Sequence, residues 1–172
     1  MSLPLTINYQ LLIIIMSKKS VLFVCLGNIC RSPMAQTVFE KILSVRGVED
    51  DFIVDSAGLL DYHEGDKADP RMRSHAEKRG YNITHRSRPV KKDDFEKFDY
   101  IIGMDEQNIR NLTHMVANEG QRKKILRMTD FLERHEAQKV PDPYYGGAEG
   151  FEYVIDLLED ACEGFYKDII NK

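Results

Sequence analysis

The stretch Cys25-Leu26-Gly27-Asn28-Ile29-Cys30-Arg31-Ser32-Pro33 places a nucleophile and a cation with five residues between them. That spacing lets a loop wrap a tetrahedral anion, with Cys25 beneath it and the Arg31 guanidinium gripping it through two parallel hydrogen bonds. The loop follows the apolar run Val21-Leu22-Phe23-Val24 and precedes a helical pattern. A helix N-terminus offers unpaired N–H groups and the positive end of a dipole, and both stabilise an anion. Gly27 is expected to let the chain curl, so that successive amides from Leu26 to Cys30 form an anion-binding nest. The same field lowers a cysteine pKa from about 8.5 to roughly 3.5–7.5. Cys25 is therefore expected as a thiolate suited to in-line attack on phosphorus. The Gly-Lys-Ser/Thr ending of a nucleotide P-loop is missing. A Cys-x5-Arg pair alone arises often by chance, and Cys25 could be a buried strand-end cysteine. The strand before the loop, the glycine inside it and the Ser-Pro helix start after it give the pair its weight.

A second chemically loaded position is Asp142, held between Pro141 and Pro143. Two prolines restrict its backbone and could hold a carboxylic acid over a pocket, although Asp before Pro is also a common turn former. Three cysteines, Cys25, Cys30 and Cys162, are too few and too odd in number for a secreted disulfide framework. They fit a reducing, cytoplasmic setting. No C-x-x-C or His/Cys cluster has zinc spacing, so neither a metal nor another cofactor is expected.

The elements that must position these residues read as an alternation. Val21–Val24 is a buried strand, followed by a helix over Pro33–Val45 with Met34, Val38, Ile42 and Val45 on one face. Phe52–Val54 is a second strand, running out at Ser56 and Gly58. A helix opens at Asp69-Pro70 and closes at Gly80. Asp99–Gly103 is the third strand, Asp105 starts another helix, and Lys124–Arg127 is a thin fourth strand. Val140–Gly147 is a loop. The last helix runs over Gly150–Ile170, with Phe151, Val154, Leu158, Cys162 and Phe165 on one face. Strands alternating with helices indicate one α/β domain with a parallel sheet.

The 172 residues suit one hydrophobic core, and the net charge of -4 gives no sign of nucleic acid as a partner. Residues 1–16 read as an N-terminal extension to a domain over 17–172. The apolar run Leu11–Met16 is far short of the roughly 20 residues of a spanning helix, so no stable membrane insertion is expected. A disordered or edge-packed tail, or a weak membrane or partner contact, remain open for it. His63, His75, His114 and His135 match no motif and are expected at the surface.

Val24-Cys25-Leu26-Gly27-Asn28-Ile29-Cys30-Arg31-Ser32-Pro33 resembles the signature of the low-molecular-weight protein tyrosine phosphatases. The resemblance extends through Asp55-Ser56-Ala57-Gly58, Thr84-His85-Arg86-Ser87-Arg88, Gly103-Met104-Asp105 and Asp142-Pro143-Tyr144-Tyr145-Gly146. It implies a four-stranded parallel sheet of order 2-1-3-4 with helices on both faces. It implies hydrolysis of phosphotyrosine in proteins through a phosphocysteine on Cys25, releasing inorganic phosphate. Arg31 then binds phosphate and the transition state, and Asp142 is the general acid and base. Tyr144 and Tyr145 wall the cleft, Tyr62 stands opposite, and Leu26 and Ile29 add apolar contact. Asn28, Ser32, Ser56 and His85 support the loop. For His85 the residue alone argues only a structural histidine. Cys30 is either a small residue in a tight loop or, by resemblance, a redox partner that traps oxidised Cys25 as a disulfide. A monomer or weak homo-oligomer is expected.

Three rival readings share parts of this pattern. Arsenate reductases of this fold need additional cysteines, and none lies between Arg31 and Asp142. Protein-arginine phosphatases carry Thr where Ile29 stands and lack the paired tyrosines. A phosphocarrier or phosphotyrosine binder would have no use for Arg31 and Asp142 together.

Overall fold

The computed structural model describes residues 9–13 and 18–172. Residues 9–13 form a helical turn with Tyr9, Leu11, Leu12 and Ile13 exposed. The remainder of the expected 1–16 extension lies outside the described residues.

The organising strand is β1 (Lys19–Cys25), whose interior is fully buried from Val21 to Val24. Its side chains divide by the period of two that a strand imposes. Val21, Phe23 and Cys25 enter one core, and Leu22 and Val24 enter the other. Flanking it are β2 (Phe52–Gly58) and β3 (Tyr100–Gly103), and β3 pairs with β4 (Ile125–Arg127). All pairings are parallel and the order is β2-β1-β3-β4. The register sets Cys25 opposite Gly58 and Val24 opposite Gly103. Strand order reverses at β1, so a crevice opens at its C-terminal end.

The first helix, α1 (Arg31–Val45), lies between the sheet and the C-terminal helix. Phe39 meets Phe23 at 5.7 Å and Phe165 at 5.4 Å between ring centroids. Burial of such a side chain contributes about 1.5–3 kcal/mol. A helix with neighbours on two sides must bury a broad arc. The buried face is accordingly centred on Ala35, Phe39 and Leu43 as well as Met34 and Val38. The expected face is corrected at its end: Val45, in the last turn, is 78% exposed. The helix also starts two residues before Pro33, at Arg31, so the expected boundary moves into the loop.

The next helix, α2 (Pro70–Lys78), is capped by Asp69, whose carboxylate accepts the Arg71 N–H at 2.8 Å. Two four-residue helices, α3 (Asp94–Lys97) and α5 (Glu119–Arg122), were not expected, being too short to show periodicity. Between them α4 (Glu106–Met115) follows β3. The last helix, α6 (Ala148–Ile170), buries the five expected residues and Ile155, Leu157, Ala161 and Ile169 as well.

The chain from β4 to Asp142 is fastened to α6. At Gly164 the helix meets the 3-10 turn Met128–Phe131 so closely that a Cβ would lie 2.0 Å from the Phe131 carbonyl oxygen. One turn earlier, the buried Asp160 carboxylate accepts N–H bonds from Glu133, Arg134 and His135 at 3.1, 2.9 and 2.8 Å. Burial would raise its pKa, but the His135 contact and these N–H donors prevail and hold it at about 2. No described helix is long and apolar enough to cross a membrane.

Candidate active site

Cys25 ends β1 at the floor of the crevice and is buried. The N–H groups of Asn28 and Ser32 point at its sulfur, at 3.3 and 3.5 Å, and the Ser32 hydroxyl lies 3.0 Å from it. The curl that makes this possible is not where the sequence suggested. Gly27 has no positive φ; the left-handed residue is Asn28, at φ 56°. Asn tolerates that region better than most residues. Glycine at 27 serves a different need, because a Cβ there would stand 3.3 Å from the His63 ring.

Asn28 is held by every group its amide offers. Its Nδ2 donates to Ser32 Oγ at 2.8 Å and Ser56 Oγ at 3.0 Å, and its Oδ1 accepts the Arg88 N–H at 3.0 Å. The backbone donor settles which end of the amide is oxygen. His85 Nε2, 2.8 Å from the same Oδ1, must then donate. The other ring nitrogen of His85 faces Asp55 at 3.4 Å. Burial lowers the imidazole pKa; Asp55 opposes this shift and Arg88 adds to it. Asn28, Ser32, Ser56 and His85 thus meet around the loop where the sequence reading grouped them. Gly58 closes the contact from β2, where a Cβ would come within 3.0 Å of Asn28. Leu59 and Leu60 donate N–H bonds to the carbonyls of Cys25 and Leu26, at 3.0 and 2.9 Å.

Arg31 opens α1 with its side chain only 3% exposed. Nη1 donates to Asp105 Oδ2 at 2.6 Å and to the Val140 carbonyl at 3.2 Å, and Nη2 lies 3.5 Å from Asp142 Oδ2. Burial disfavours the cation, yet Cys25, Asp105 and Asp142 together raise its pKa above the ordinary guanidinium value. Asp105 is a site residue that the sequence reading missed. It follows β3 and caps α4, its Oδ1 accepting the Asn108 N–H at 2.8 Å while Oδ2 takes Arg31. The sequence marked Asp105 as a helix start, and nothing in that local signal pointed to Arg31. The Val140 N–H bonds the Met104 carbonyl at 2.8 Å, which brings the Asp142 loop against the same place.

Asp142 sits at the mouth, its side chain 38% exposed, with Oδ1 accepting the Tyr144 N–H at 3.0 Å. It is both the turn former and a pocket residue, so the two sequence readings coexist. The cavity, of about 250 Å³, has Cys25, Ile29 and Arg31 among its inner residues. Tyr144 and Tyr145 meet edge to face, 4.9 Å between centroids. Tyr62 and Tyr145 line the opening and are 83% and 92% exposed. Leu26, Gly27 and Cys30 also line it.

Leu60 and His63 complete the lining and were missed. His63 was expected at the surface, but Asp66 holds its Nδ1 at 3.2 Å and the space above Gly27 admits the ring. His75 is likewise not a free surface residue: it stacks on Phe151 and contacts Glu152 at 2.7 Å. His135 contacts Asp160 at 2.8 Å. Cys30 is buried, and its thiol pKa is pushed up by burial first, then by Asp69, Cys25 and Asp142. All three cysteines are unpaired. Among the described residues no group of three His, Cys, Asp or Glu side chains could hold a metal ion.

A family model described as low molecular weight phosphotyrosine protein phosphatase matches residues 20–172. The low molecular weight phosphotyrosine protein phosphatase of Sus scrofa is 40% identical over 154 residues, covering 88% of this chain and 96% of the relative. The crystal structure of a protein tyrosine phosphatase from Entamoeba histolytica, with Hepes in its active site, matches with a TM-score of 0.87 at 46% identity. That match covers 90% of this chain and 98% of the other. The crystal structure of a Drosophila arginine phosphatase matches with a TM-score of 0.81 at 33% identity, over 87% of this chain and 96% of the other.

Proposed function

The chain belongs to the low molecular weight phosphotyrosine protein phosphatase family, and on that premise we propose that it hydrolyses phosphotyrosine in proteins through a phosphocysteine on Cys25. The observation that carries this reading is convergence: the buried sulfur with N–H donors on it, the buried Arg31 and the Asp142 carboxylate meet at one cavity. In the first step the Cys25 thiolate attacks phosphorus as the bond to the tyrosine oxygen breaks. The electron pair leaves with that oxygen, which takes the proton of the Asp142 carboxyl group. The Leu26 to Arg31 amides and the Arg31 guanidinium stabilise the charge on the phosphoryl oxygens. In the second step Asp142 accepts a proton from water, the water oxygen attacks phosphorus, and the P–S bond breaks to release inorganic phosphate. Ser32, 3.0 Å from the sulfur, can donate to the departing thiolate. Asp105 acts through Arg31, holding the guanidinium from behind.

The substrate class follows from depth and walls. Tyrosine phosphate is long enough to bring phosphorus to Cys25 while its ring lies between Ile29, Tyr144 and Tyr145. Aromatic contacts of this kind contribute about 0.5–1.5 kcal/mol per pair. Phosphoserine is shorter, and phosphoarginine is cationic and planar beside an apolar Ile29. Phosphotyrosine peptides should be hydrolysed at least about tenfold better in kcat/KM than phosphoserine or phosphoarginine peptides, a margin of ~1.4 kcal/mol. Tyr144→Ala with Tyr145→Ala should erode that margin. Comparable rates on the three peptides, or a preference for phosphoarginine, would reject this substrate class.

We also propose that Cys30 captures oxidised Cys25. Peroxide oxidises the Cys25 thiolate to a sulfenic acid and is itself reduced; Cys30 sulfur then displaces water to form the disulfide. Supporting this, both residues line one cavity on one short loop. The raised Cys30 pKa makes capture slow at neutral pH, because little of it is thiolate. Mild peroxide should give a Cys25–Cys30 peptide on mapping, and Cys30→Ala should make inactivation harder to reverse. Equal recovery of both proteins by dithiothreitol would remove this role.

A further inference from the structure

Beside the catalytic cavity is a second recess of about 360 Å³ that shares Ile29, His63 and Tyr144 with it. Lys67 and Arg73 line the second recess and not the first. Its two carboxylates are already engaged. Asp69 is buried and held by Arg71 through Nε–Oδ1 and Nη2–Oδ2 contacts of 3.1 and 2.9 Å. Asp66 faces His63. Among the described residues, by contrast, neither Lys67 nor Arg73 pairs with a carboxylate, and the ion pairs of this region are those of Asp66 and Asp69 alone. Counting Arg71 with the lining, three cations stand here against two carboxylates, and Lys67 and Arg73 are the two that no carboxylate holds, directly beside the mouth of the catalytic cavity.

Both cations are carried on fastened backbone. Lys67 forms an antiparallel bridge with Arg86, next to the Ser87 N–H bond to the Asp66 carbonyl at 2.8 Å. Arg73 lies in α2, donates its backbone N–H to the Asp69 carbonyl at 2.9 Å, and fixes its guanidinium by an Nε bond to the Ala68 carbonyl at 3.0 Å. That bond uses one of the five guanidinium donors. A guanidinium held in place without an anionic partner suits an acidic ligand, because little of its ordering remains to be done on binding, whereas for Lys67 only the backbone is fixed.

Resting on the proposed function, we propose that this recess is a subsite for the peptide flanking the phosphotyrosine, and that it takes the carboxylate of an Asp or Glu side chain. A peptide whose phosphotyrosine occupies the cavity must leave past the shared rim. An extended chain advances about 3.3 Å per residue, so the acidic residue belongs within about three positions of the phosphotyrosine on one side. Small aryl phosphates end at the catalytic cavity and do not reach Lys67 or Arg73. The subsite therefore separates peptide recognition from the chemical step.

The test compares phosphotyrosine peptides carrying Glu or Gln at each of the three positions on either side, with p-nitrophenyl phosphate as the small substrate. Glu at one position should raise kcat/KM about fivefold over Gln, through KM, and the gain should shrink as salt screens the pair. Lys67→Ala with Arg73→Ala should abolish the Glu preference and leave p-nitrophenyl phosphate turnover unchanged. Lys67→Glu alone, which leaves the Arg73–Ala68 bond intact, should turn the preference toward Gln or Lys peptides. Equal kcat/KM for all Glu and Gln peptides, with normal turnover of p-nitrophenyl phosphate, overturns the subsite while leaving the proposed function standing. A Glu preference that survives in both variants overturns it too. Failure to turn over any aryl phosphate defeats the proposed function, and the subsite with it.

Discussion

Cys25→Ser should fold normally and lose aryl phosphatase activity by a factor on the order of 10⁴. A serine hydroxyl can keep the contacts now made by the sulfur with Asn28 N–H and Ser32 Oγ, so no buried polar group is orphaned. It is nevertheless a weak nucleophile unless a base takes its proton. The histidine nearest in the network cannot serve, because His85 Nε2 is committed to Asn28 Oδ1 at 2.8 Å. The loop would still bind the anion through its amides and Arg31, so phosphate should continue to protect the variant against thermal unfolding. Steady-state hydrolysis of p-nitrophenyl phosphate together with a melting curve checks both halves. Retention of more than a few per cent of wild-type turnover by a correctly folded variant would remove Cys25 from the mechanism.

Asp142→Asn should lower kcat/KM for phenyl phosphate by about 10²–10³ and lower it much less for p-nitrophenyl phosphate. The reasoning is that a general acid contributes about 10²–10⁴ where the leaving oxygen needs its proton. Nitrophenolate departs without one. Asparagine keeps an oxygen for the Tyr144 N–H, so the turn survives, and the lost contact to Arg31 is a long one at a partly exposed position. Stability should therefore change little. Using kcat/KM restricts the comparison to the first step, formation of the phosphocysteine. An equal fall for both leaving groups, or a loss below tenfold for phenyl phosphate, would show that Asp142 supplies position or charge and not the proton.

Much of the Cys25–Arg31 loop was legible because its parts are close in sequence. A short apolar run, a glycine-containing loop and a helix start fall within about one strand and one helical turn, and local sterics and burial dictate each. Cys25 and Arg31 needed no long-range information to be placed on the same loop. The sheet order was implied by the wider resemblance and agrees with the observed β2-β1-β3-β4.

Conformation inside that loop was less legible. Glycine is the default for a left-handed residue, but Asn28 adopts it, held there by Ser32, Ser56, His85 and Arg88. Three of those partners come from β2 and the segment after α2, and an isolated loop sequence carries no sign of them. The same holds for the exposed Val45, since periodicity defines a stripe and not the neighbours that widen or end it.

By itself, then, the sequence determined the strand–loop–helix that carries Cys25 and Arg31, since those features depend on φ/ψ sterics, helix ends and burial period within about ten residues. Only the tertiary structure decided which carboxylates stand against Arg31 and which histidine enters the cavity. Asp105 and the Val140 carbonyl reach Arg31 across 74 and 109 residues, and His85 reaches Asn28 across 57. Parallel pairing brings the C-terminal ends of β1 and β3 together, and Asp160 and Gly164 of α6 hold the chain that returns Asp142 to them. Such convergence is a property of the chain's path through space, and no local pattern encodes it.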